Sequence, residues 1–308
     1  MSKTILVTGA CGNLGLKLVK SLTTRDEKFQ VIALDLLSAA ASPYNQDKRV
    51  AFVQADLTDP YDTRWIDAVK KADAIVHFAA RNPFPDASWE DATASLAMTK
   101  NLLDTAMAHQ IERFIFASSN HVMGGYKEKL DHLKPGSLSS DTPMLPGTAI
   151  RENDGSYRTS LPYAIAKVMG ECYCREETEK AGRTTTTISV RIGWCQPGEN
   201  KLETISASGT PKAEGNAVDP DYERDLRWFR SMWLSNHDFI DLFTRAIMAD
   251  ASAWPNKAII VNGMSDNSGM PWDIEMGKRL IGYNPKEFIP DLETYFARHT
   301  QHLRITPS

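Results

Sequence analysis

The stretch TGACGNLG at residues 8–15 decides the fold of this 308-residue chain. A continuous apolar run at residues 4–8 leads into it, and a segment with leucines at helical spacing follows at residues 14–23. Glycines at such a junction permit a tight turn and let the backbone approach a diphosphate, while the helix N-terminus offers free N–H groups. The sequence therefore predicts a dinucleotide-binding turn with contacts from Gly9, Gly12, Asn13, Leu14 and Gly15.

An acidic residue follows at the spacing that a dinucleotide-binding unit requires. Asp35 comes directly after the second predicted strand, twenty residues beyond Gly15. A carboxylate at this place accepts hydrogen bonds from both ribose hydroxyls of an adenosine and repels a 2′-phosphate. The next residues are Leu36 and Leu37, so no arginine stands beside it to bind that phosphate. We therefore predict NAD rather than NADP as the cofactor.

The ends of two further strands supply candidate cofactor contacts. Asp56 and Leu57 follow the third predicted strand, where the edge of an adenine would lie, although turn chemistry at residues 56–60 also explains the aspartate. Ala79 and Ala80 follow the next one. Because ligands of such sheets bind outside the carboxyl ends of the strands, we expect both pairs at the same edge as the glycine turn.

Strand-like and helix-like segments alternate along most of the chain. The alternation predicts an α/β fold, a Rossmann-type doubly wound parallel sheet with a small C-terminal substrate-binding region. We assign residues 1–192 to the NAD-binding domain and residues 193–308 mainly to the substrate-binding region, with some of its segments returning to the Rossmann core. The predicted strands lie at residues 4–8, 31–34, 50–54, 74–78, 114–117, 185–192 and 258–261, and the predicted helices at residues 14–23, 63–71, 89–109, 162–180, 239–249 and 273–281.

Two stretches lack periodic apolar positions. Residues 127–160 hold three prolines and three glycines and are predicted to form a long loop. Residues 201–224 are rich in serine, glycine, proline and charge and form a second predicted insertion. Structureless segments longer than about 15 residues in a compact domain are commonly lids or arms. We expect the second stretch either to close over a substrate or to extend to a neighbouring subunit.

Composition and charge exclude several classes of protein. The chain is 42% hydrophobic and 24% charged, with 35 basic and 39 acidic residues, which is typical of a globular protein. No basic stripe indicates nucleic acid as a partner. No run of 18 apolar residues indicates a membrane, and no signal peptide is recognisable, so we predict the cytoplasm. The four cysteines and seven histidines lack metal-site spacing, and we expect no metal.

Three residues carry the candidate chemistry. Tyr163 and Lys167 stand four residues apart on the helix predicted at residues 162–180 and so share one face. An ammonium group beside a phenol favours the phenolate and lowers a pKa that is ordinarily about 10, so the tyrosine can act as a general base. Ser119, just past the strand predicted at residues 114–117, can hydrogen bond the same substrate oxygen. We predict these three as catalytic residues, and the tyrosine and lysine also as cofactor contacts.

Taken with the glycine turn, this trio resembles an extended short-chain dehydrogenase/reductase over most of the chain. Three stretches are similar to uronate dehydrogenases in particular: SSNHVMG at residues 118–124, RIG at 191–193 and WLSNHDF at 233–239. The resemblance implies oxidation of the anomeric carbon of a uronic acid to a lactone with NAD, and it implies a homo-oligomer. It also implies sugar contacts from Asn82 and Asn120, and positions beside the nicotinamide for Ile192 and Cys195.

The sequence departs from that family where the acid group of a uronate would bind. Trp194 replaces the serine that follows the RIG motif, and Glu203 stands where the family has its carboxylate-binding arginine. Arg227 or Arg230, beyond the insertion, could take over that role, or lie in a solvated segment. His121 and Trp194 are further candidate substrate contacts, with structural hydrogen bonding and core packing as the respective alternatives. The substrate is left open between a uronate, a sulfonated sugar such as sulfoquinovose, and a neutral aldose.

The sequence as a whole predicts an NAD-dependent sugar dehydrogenase. Tyr163 would accept the hydroxyl proton, Lys167 would hold the nicotinamide ribose, and Ser119 would orient the oxygen. A nucleotide-sugar epimerase with permanently bound NAD is an alternative, whereas related dehydratases carry Asp-Glu where this chain has Asn120 and His121. A non-catalytic NAD-binding sensor is a second alternative, although a sensor has no need of a tuned phenol.

Overall fold

A parallel β-sheet forms the centre of the molecule in the computed structural model. The structure describes residues 2–25, 29–44, 47–81, 86–151, 156–207 and 221–290. Its strands are β1 (Lys3–Thr8), β2 (Phe29–Asp35), β3 (Val50–Gln54), β4 (Ala74–His77), β5 (Arg113–Ser119), β6 (Ala149–Arg151), β7 (Tyr157–Thr159), β8 (Thr186–Ile192) and β9 (Ala258–Gly263). Seven of them join in the order β3-β2-β1-β4-β5-β8-β9, with every neighbouring pair parallel, and β6 and β7 form a separate antiparallel hairpin.

Helices cover both faces of this sheet, which confirms the predicted Rossmann-type fold. They are α1 (Asn13–Arg25), α2 (Thr63–Val69), α3 (Trp89–Ala108), α4 (Leu161–Thr178), α5 (Tyr222–Ser231), α6 (Asn236–Met248) and α7 (Glu275–Ile281). One apolar cluster lies between the sheet and α1, α6 and α7, and a second lies between the sheet and α2, α3 and α4. Among the helices of the described ranges, none is long and apolar enough to cross a membrane.

The strand order places a crevice at one defined point of the sheet. The chain runs from β1 outward to β3 and then returns to β4 on the other side of β1, so the connections diverge between β1 and β4. Thr8 at the end of β1 is in register with His77 at the end of β4, and the Thr8 hydroxyl lies 2.8 Å from Nδ1 of that histidine. Ligands of open α/β sheets bind at such a switch point.

The C-terminal region builds a third apolar cluster and also returns one strand to the sheet. Trp228 and Trp272 contact each other in this cluster with ring centroids 5.4 Å apart and planes inclined by 49°, and Phe229 is fully buried in the same cluster. Strand β9 pairs with β8 at the edge of the main sheet. The division of the chain at residue 192 stays a prediction.

Two of the irregular stretches contain more structure than their composition indicates. Residues 127–160, predicted as a loop, hold the end of a 3₁₀ segment (Asn120–His132) and the β6–β7 hairpin. Backbone bonds from Leu145 to Val122 and from Gly147 to His121 tie the proline-rich part to that segment. Helix α5, which the sequence analysis missed, begins at the end of the predicted insertion; residues 208–220 lie outside the described residues.

Helix α4 packs against β5 through one glycine, Gly170. Pro162 stands in its first turn, as predicted, where a missing N–H costs nothing. A Cβ at Gly170 would lie 2.3 Å from Cζ of Phe116, so only glycine permits this approach to β5. The close packing places Lys167, three residues earlier, against the carboxyl end of that strand.

A buried ion pair fixes the same helix to its neighbours. Glu171 on α4 and Arg191 on β8 are both fully buried, and the guanidinium binds both carboxylate oxygens, at 3.0 and 2.9 Å. The Ser118 hydroxyl on β5 donates to the same carboxylate at 2.5 Å. One carboxylate therefore joins α4, β5 and β8 directly beneath the carboxyl ends of the strands.

We expect Glu171→Gln to lower the free energy of unfolding by about 3 kcal/mol, because it leaves the Arg191 guanidinium buried without a counter-charge. Denaturant unfolding followed by circular dichroism measures this loss. Glu176→Gln on the same helix is the matched control, since Glu176 pairs with Arg175 only at the exposed surface and its loss should cost less than about 0.5 kcal/mol. Equal stabilities of the two variants would contradict the central position given to this pair.

Candidate active site

A cavity of about 1240 Å³ opens at the carboxyl ends of the central strands. Residues that follow β1, β2, β3, β4, β5 and β8 all contribute to its wall. Every residue predicted to contact the cofactor lines this one cavity, from the glycine turn to Asp35, Asp56, Leu57, Ala79, Ala80, Ile192 and Cys195, together with the catalytic trio. These residues come from distant parts of the sequence, and the strand order brings them together.

The three glycines of the turn are needed for different reasons. Gly9 has a positive φ of +64°, and a Cβ on it would lie 2.8 Å from the backbone nitrogen of Ala79. A Cβ on Gly15 would lie 2.3 Å from the Gly9 carbonyl oxygen, so this glycine lets α1 pack against the turn. A Cβ on Gly12 would meet only that carbonyl oxygen, at 3.3 Å, a tight contact that a shift of a few tenths of an ångström would relieve. The space beside Gly12 therefore fits a ligand that approaches the backbone, as a diphosphate does.

The carboxylate of Asp35 is held rigidly at the rim of the cavity. It accepts hydrogen bonds from the backbone N–H of Cys11 at 2.9 Å and of Leu37 at 3.2 Å. A carboxylate has about four acceptor positions, so capacity remains for two ribose hydroxyls. Burial, with Asp35 beside it, raises the pKa of the Cys11 thiol to about 11, so this thiol stays protonated and fills space next to the carboxylate.

Asp56 has a turn role in addition to its place in the cavity wall. Its Oδ1 accepts from the backbone N–H and from the hydroxyl of Thr58, at 2.9 and 2.7 Å. Asp56 therefore forms a turn and also lines the cavity, and its contact with an adenine stays a prediction. Leu57 is almost fully buried and presents an apolar surface beside it.

The loop after β8 is fastened to the first helix. Asn13 at the start of α1 donates to the carbonyl of Cys195 at 2.9 Å. The Lys17 amine contacts Sγ of the same cysteine at 3.5 Å and also binds the Gln196 carbonyl. Burial raises the pKa of the Cys195 thiol to about 11, against the opposing effect of Lys17. The two walls of the cavity are thus linked next to the glycine turn.

The predicted catalytic trio lies together in the same wall. Lys167 donates to the Ala117 carbonyl at 2.7 Å, and its amine lies 5.6 Å from the centre of the Tyr163 ring. Ser119 ends β5, accepts from the backbone N–H of His121 at 3.2 Å and lies close enough to the phenol of Tyr163 to lower its pKa. The arrangement offers a serine hydroxyl and a phenol side by side, with an amine one helical turn away.

The pKa of the Tyr163 phenol differs in direction from the sequence-based expectation. Burial raises it above its ordinary value, and the hydrogen bond from Ser119 offsets this only in part. Burial also lowers the pKa of Lys167 to about 8. The expectation considered the attraction between an ammonium and a phenolate, whereas desolvation of both groups acts against their charged forms.

Of the predicted substrate contacts, three side chains line the cavity. Asn120 donates to the Ile192 carbonyl at 3.0 Å, and its Oδ1 has no hydrogen-bond partner within the described chain. His121 packs edge-on against Tyr163, with ring centroids 5.4 Å apart, and burial lowers its pKa to about 3, so it is neutral. Trp194 is half-buried and packs against Phe229. Asn82 lies outside the described residues.

The two arginines proposed to bind an acid group do not reach the cavity. Arg227 forms an exposed ion pair with Asp131 at 2.9 Å. Arg230 is buried, and it donates to the backbone carbonyls of Ile205 and Glu203, where it anchors the start of the second insertion. Neither belongs to the described lining of the cavity. The prediction used nearness to Trp233 along the chain, whereas in the described structure both side chains bind other partners.

Other lining residues include Arg81, which the sequence offered only as a weak candidate for contact with the cofactor phosphates or the substrate, and residues that were not predicted. Arg81 follows Ala80, its backbone N–H donates to the Ser95 hydroxyl at 2.9 Å, and its side chain is exposed at the cavity wall. Phe78, Gln196 and Pro197 extend the wall on either side. These residues could be recognised in the sequence only because they follow the end of a predicted strand. That position does not distinguish a residue that binds a ligand from an ordinary loop residue.

The two predicted insertions meet beside the site through charged side chains. Lys127, almost fully buried, binds Asp225 on α5 at 2.6 Å. Arg224 binds Glu128 at 2.8 Å, and the Tyr157 hydroxyl on the hairpin donates to Asp221 at 2.9 Å. The 3₁₀ segment, the hairpin and α5 are therefore joined to one another by these contacts.

Comparison with known proteins places the chain in a family. Residues 5–193 match the NAD dependent epimerase/dehydratase family, and the chain belongs to it. This confirms the predicted superfamily and the prediction of NAD as cofactor. The match ends just past β8, so it spans the glycine turn, Asp35 and the catalytic trio.

Individual relatives cover nearly the whole chain at low identity. An L-arabinose 1-dehydrogenase (NAD(P)(+)) of Haloferax volcanii is 27% identical, over 92% of this chain and 96% of its own. A uronate dehydrogenase of Agrobacterium fabrum is 28% identical, over 96% and 88%. A solved mutant uronate dehydrogenase from Agrobacterium tumefaciens, complexed with NAD, superposes with a TM-score of 0.64 at 25% identity, covering 100% of this chain and 92% of that one. These names agree with the prediction of an NAD-dependent sugar dehydrogenase.

We expect Gly12→Ala to weaken NAD binding about tenfold or more while it changes the melting temperature little, because the added methyl group occupies the space left for a diphosphate. Gly15→Ala should instead lower the melting temperature, since its Cβ would lie 2.3 Å from a backbone oxygen. Titration of NAD by protein fluorescence and thermal unfolding measure the two effects. Unchanged NAD affinity in the Gly12 variant would refute this placement of the diphosphate.

Proposed function

We propose that the protein oxidises a hydroxyl group of a sugar with NAD, at the anomeric carbon of an aldose or of an anionic sugar, and releases a lactone. The observation that carries this proposal is the position of Ser119, Tyr163 and Lys167 in the same cavity as the glycine turn and Asp35. The names of the relatives, dehydrogenases of arabinose, glucose 6-phosphate and uronates, support oxidation of a free sugar.

Each residue of the trio has a defined task in this reaction. Tyr163 accepts the proton of the sugar hydroxyl at its phenolic oxygen. Ser119 hydrogen bonds the same sugar oxygen and holds it at the phenol. Lys167, fixed by the Ala117 carbonyl, contributes positive charge beside the phenol and binds the nicotinamide ribose. NAD, when bound, supplies the hydride acceptor and a positively charged ring.

The residues that would recognise the rest of the sugar lie around this trio. Asn120 offers an amide oxygen without a partner in the described chain, and Trp194 offers an aromatic surface of the kind that packs against sugar rings. Arg81 supplies a guanidinium at the cavity wall, whereas Arg227 and Arg230 are engaged elsewhere. A carboxylate or a sulfonate is therefore a suitable substituent, and uronates and sulfoquinovose are the first anionic sugars to compare with neutral aldoses.

A nucleotide-sugar epimerase is the second candidate, because the family includes such enzymes and a UDP-glucuronic acid 4-epimerase from Bacillus cereus has the same fold. The residues after Ser119 do not favour a dehydratase. Asn120 has no ionisable group, and His121 is neutral because of its low pKa, so neither replaces the acid and base of an Asp-Glu pair.

The decisive experiment follows absorbance of NADH while the purified protein is incubated with NAD and one sugar at a time. We expect NADH to form in stoichiometry with the lactone of the sugar for at least one of a panel of uronates, sulfonated sugars and neutral aldoses. Conversion of a nucleotide sugar without net NADH would instead establish an epimerase. Tight NAD binding with no reaction across the panel would favour a sensor.

Replacement of Tyr163 by phenylalanine should lower kcat by at least about 100-fold with little change in NAD affinity, because it removes the proton acceptor but keeps the ring. Tyr173→Phe on the same helix is the matched control, since that hydroxyl binds Asp104 away from the cavity. The raised pKa of Tyr163 means that its basic form gains population as the pH rises, so wild-type kcat/KM for oxidation should increase with pH until Lys167, with a pKa of about 8, loses its charge. With a pKa of about 3, His121 adds no further step between about pH 5 and pH 8. Retained activity in the Tyr163 variant would overturn the mechanism.

A further inference from the structure

His77 ends β4 at the switch point of the sheet and is almost completely buried. Its ring centroid lies 6.0 Å from that of Phe114 and 6.1 Å from that of Phe116, both on β5. Both ring nitrogens have a hydroxyl partner: Nδ1 lies 2.8 Å from Oγ1 of Thr8, and Nε2 lies 3.1 Å from Oγ1 of Thr99 on α3. The histidine therefore connects β1 to α3 through the interior, and the reaction proposed above does not use it.

Hydrogen-bond accounting assigns the tautomer of this ring. The Thr99 hydroxyl donates its single proton to the Ser95 carbonyl at 3.0 Å, so its oxygen is left to accept from Nε2. The Thr8 oxygen accepts from the backbone N–H of Ala79 at 3.3 Å, so its own proton needs an acceptor, and Nδ1 is the one that the described residues provide. The opposite tautomer would leave the buried Thr8 proton without an acceptor among them, which costs free energy. The ring proton of His77 therefore lies on Nε2.

The ring of His77 is neutral at ordinary pH. Burial and the nearby charge of Lys167 lower its pKa to about 3. A second proton, on Nδ1, would face the Thr8 oxygen and take away the acceptor of the Thr8 hydroxyl. Between about pH 5 and pH 8 the hydrogen bonds through this ring therefore keep one direction.

These hydrogen bonds hold the loop at residues 79–81, which follows β4, at both of its ends. At one end the Ala79 N–H donates to the Thr8 hydroxyl. At the other end the Arg81 N–H donates to the Ser95 hydroxyl at 2.9 Å, and the carbonyl of the same serine accepts from Thr99. The hydrogen bonds thus leave the loop at Ala79, pass through three buried side chains and return through Ser95 to Arg81.

The loop that is held in this way forms part of the cavity wall. Ala79, Ala80 and Arg81 line the cavity beside the glycine turn. The loop and the turn are in close contact, because a Cβ on Gly9 would lie 2.8 Å from the Ala79 nitrogen. A displacement of the loop would therefore change the shape of the cavity next to the turn.

We propose that His77 is a positioning residue of the NAD site, which holds the loop at residues 79–81 against the glycine turn through its hydrogen bonds to Thr8 and Thr99. None of these three side chains belongs to the described lining of the cavity, so His77 acts through the backbone of the loop. A wall that is fixed before the cofactor arrives binds it without the cost of ordering the loop.

Removal of these hydrogen bonds should weaken NAD binding. His77→Phe keeps an aromatic ring and removes both nitrogens, and Thr8→Val removes the hydroxyl and keeps the branched shape. Titration of NAD by protein fluorescence should show about tenfold weaker binding for each variant, because the loop is no longer held at the turn. Thr8→Ser keeps the hydroxyl and should bind NAD within about twofold of the wild type.

A double variant tests whether the two residues act through one contact. The losses of affinity in His77→Phe and Thr8→Val should not add, so the double variant should bind NAD about as weakly as the weaker of the single variants. Additive losses, about 100-fold in total, would show that the two residues act independently and would contradict the proposal.

Thr187→Val is the matched control for loss of a buried hydroxyl. Thr187 lies near the start of β8, at the opposite end of the strand from the cavity, and its oxygen accepts from the Thr178 hydroxyl at 3.2 Å. This variant should lower the melting temperature by a few degrees with unchanged affinity for NAD. If the Thr8 and His77 variants also lower only the melting temperature, His77 has a structural role alone and the proposal is wrong.

The tautomer is measured without any ligand. Nitrogen-15 NMR of histidine-labelled protein distinguishes the two ring nitrogens, and the signal of His77 is the one that is lost in His77→Phe. We expect a proton on Nε2 that exchanges slowly with water, and a bare Nδ1. A proton on Nδ1 would reverse the direction of the hydrogen bonds and overturn the proposal.

These measurements need NAD and no sugar. They therefore remain decisive if no sugar is oxidised and the proposed function fails. If His77→Phe does not fold, the comparison of Thr8→Val with Thr8→Ser still decides, because equal NAD affinities of these two variants would refute the proposal.

Discussion

The buried ion pair between Glu171 and Arg191 is the interaction on which the geometry of the site depends. Glu171 lies one helical turn beyond Lys167 and two beyond Tyr163, so its position sets the rotation of α4 about its own axis. Arg191 immediately precedes Ile192, whose carbonyl holds Asn120, and Ser118 immediately precedes Ser119. The Glu171 carboxylate therefore fixes the positions of Tyr163, Lys167 and Ser119 relative to one another. Such a buried pair contributes more to geometry than to net stability, because desolvation offsets much of its attraction.

The parts of the structure that follow local rules could be predicted from the sequence. Buried parallel strands are continuous apolar runs, and the glycine turn is specified by backbone geometry at Gly9 and by close packing at Gly15. Asp35 was found because a strand end fixes the place of a carboxylate relative to the turn. These features need no knowledge of distant contacts, which is why the fold is confirmed and the predicted cofactor contacts lie in one cavity.

The features that were missed depend on residues far apart in the chain. The apolar side chains of helix α5 pack into the third apolar cluster. The start of the helix is held by the ion pair between Asp225 and Lys127, which are 98 residues apart in the sequence. Arg227 binds Asp131 across 96 residues. Pairings of this kind leave no periodic signal, so a charged stretch with a tryptophan looked like a candidate anion site. The same pairings show that the two irregular stretches are parts of one structure.

The electrostatics of the site also explain why a sequence motif alone does not establish a working base. Burial raises the pKa of Tyr163 and lowers that of Lys167, so the wall by itself favours a neutral phenol beside an amine close to losing its proton. His121 is neutral as well. Lys167 is therefore the positive charge that the wall itself places near the phenol, and a cationic ligand beside Tyr163 makes ionisation of the phenol more favourable. Such a base is active when a charged ligand fills the cavity. Removal of water raises the free energy of the lone phenolate, but it also strengthens the attraction between the phenolate and a positively charged ligand.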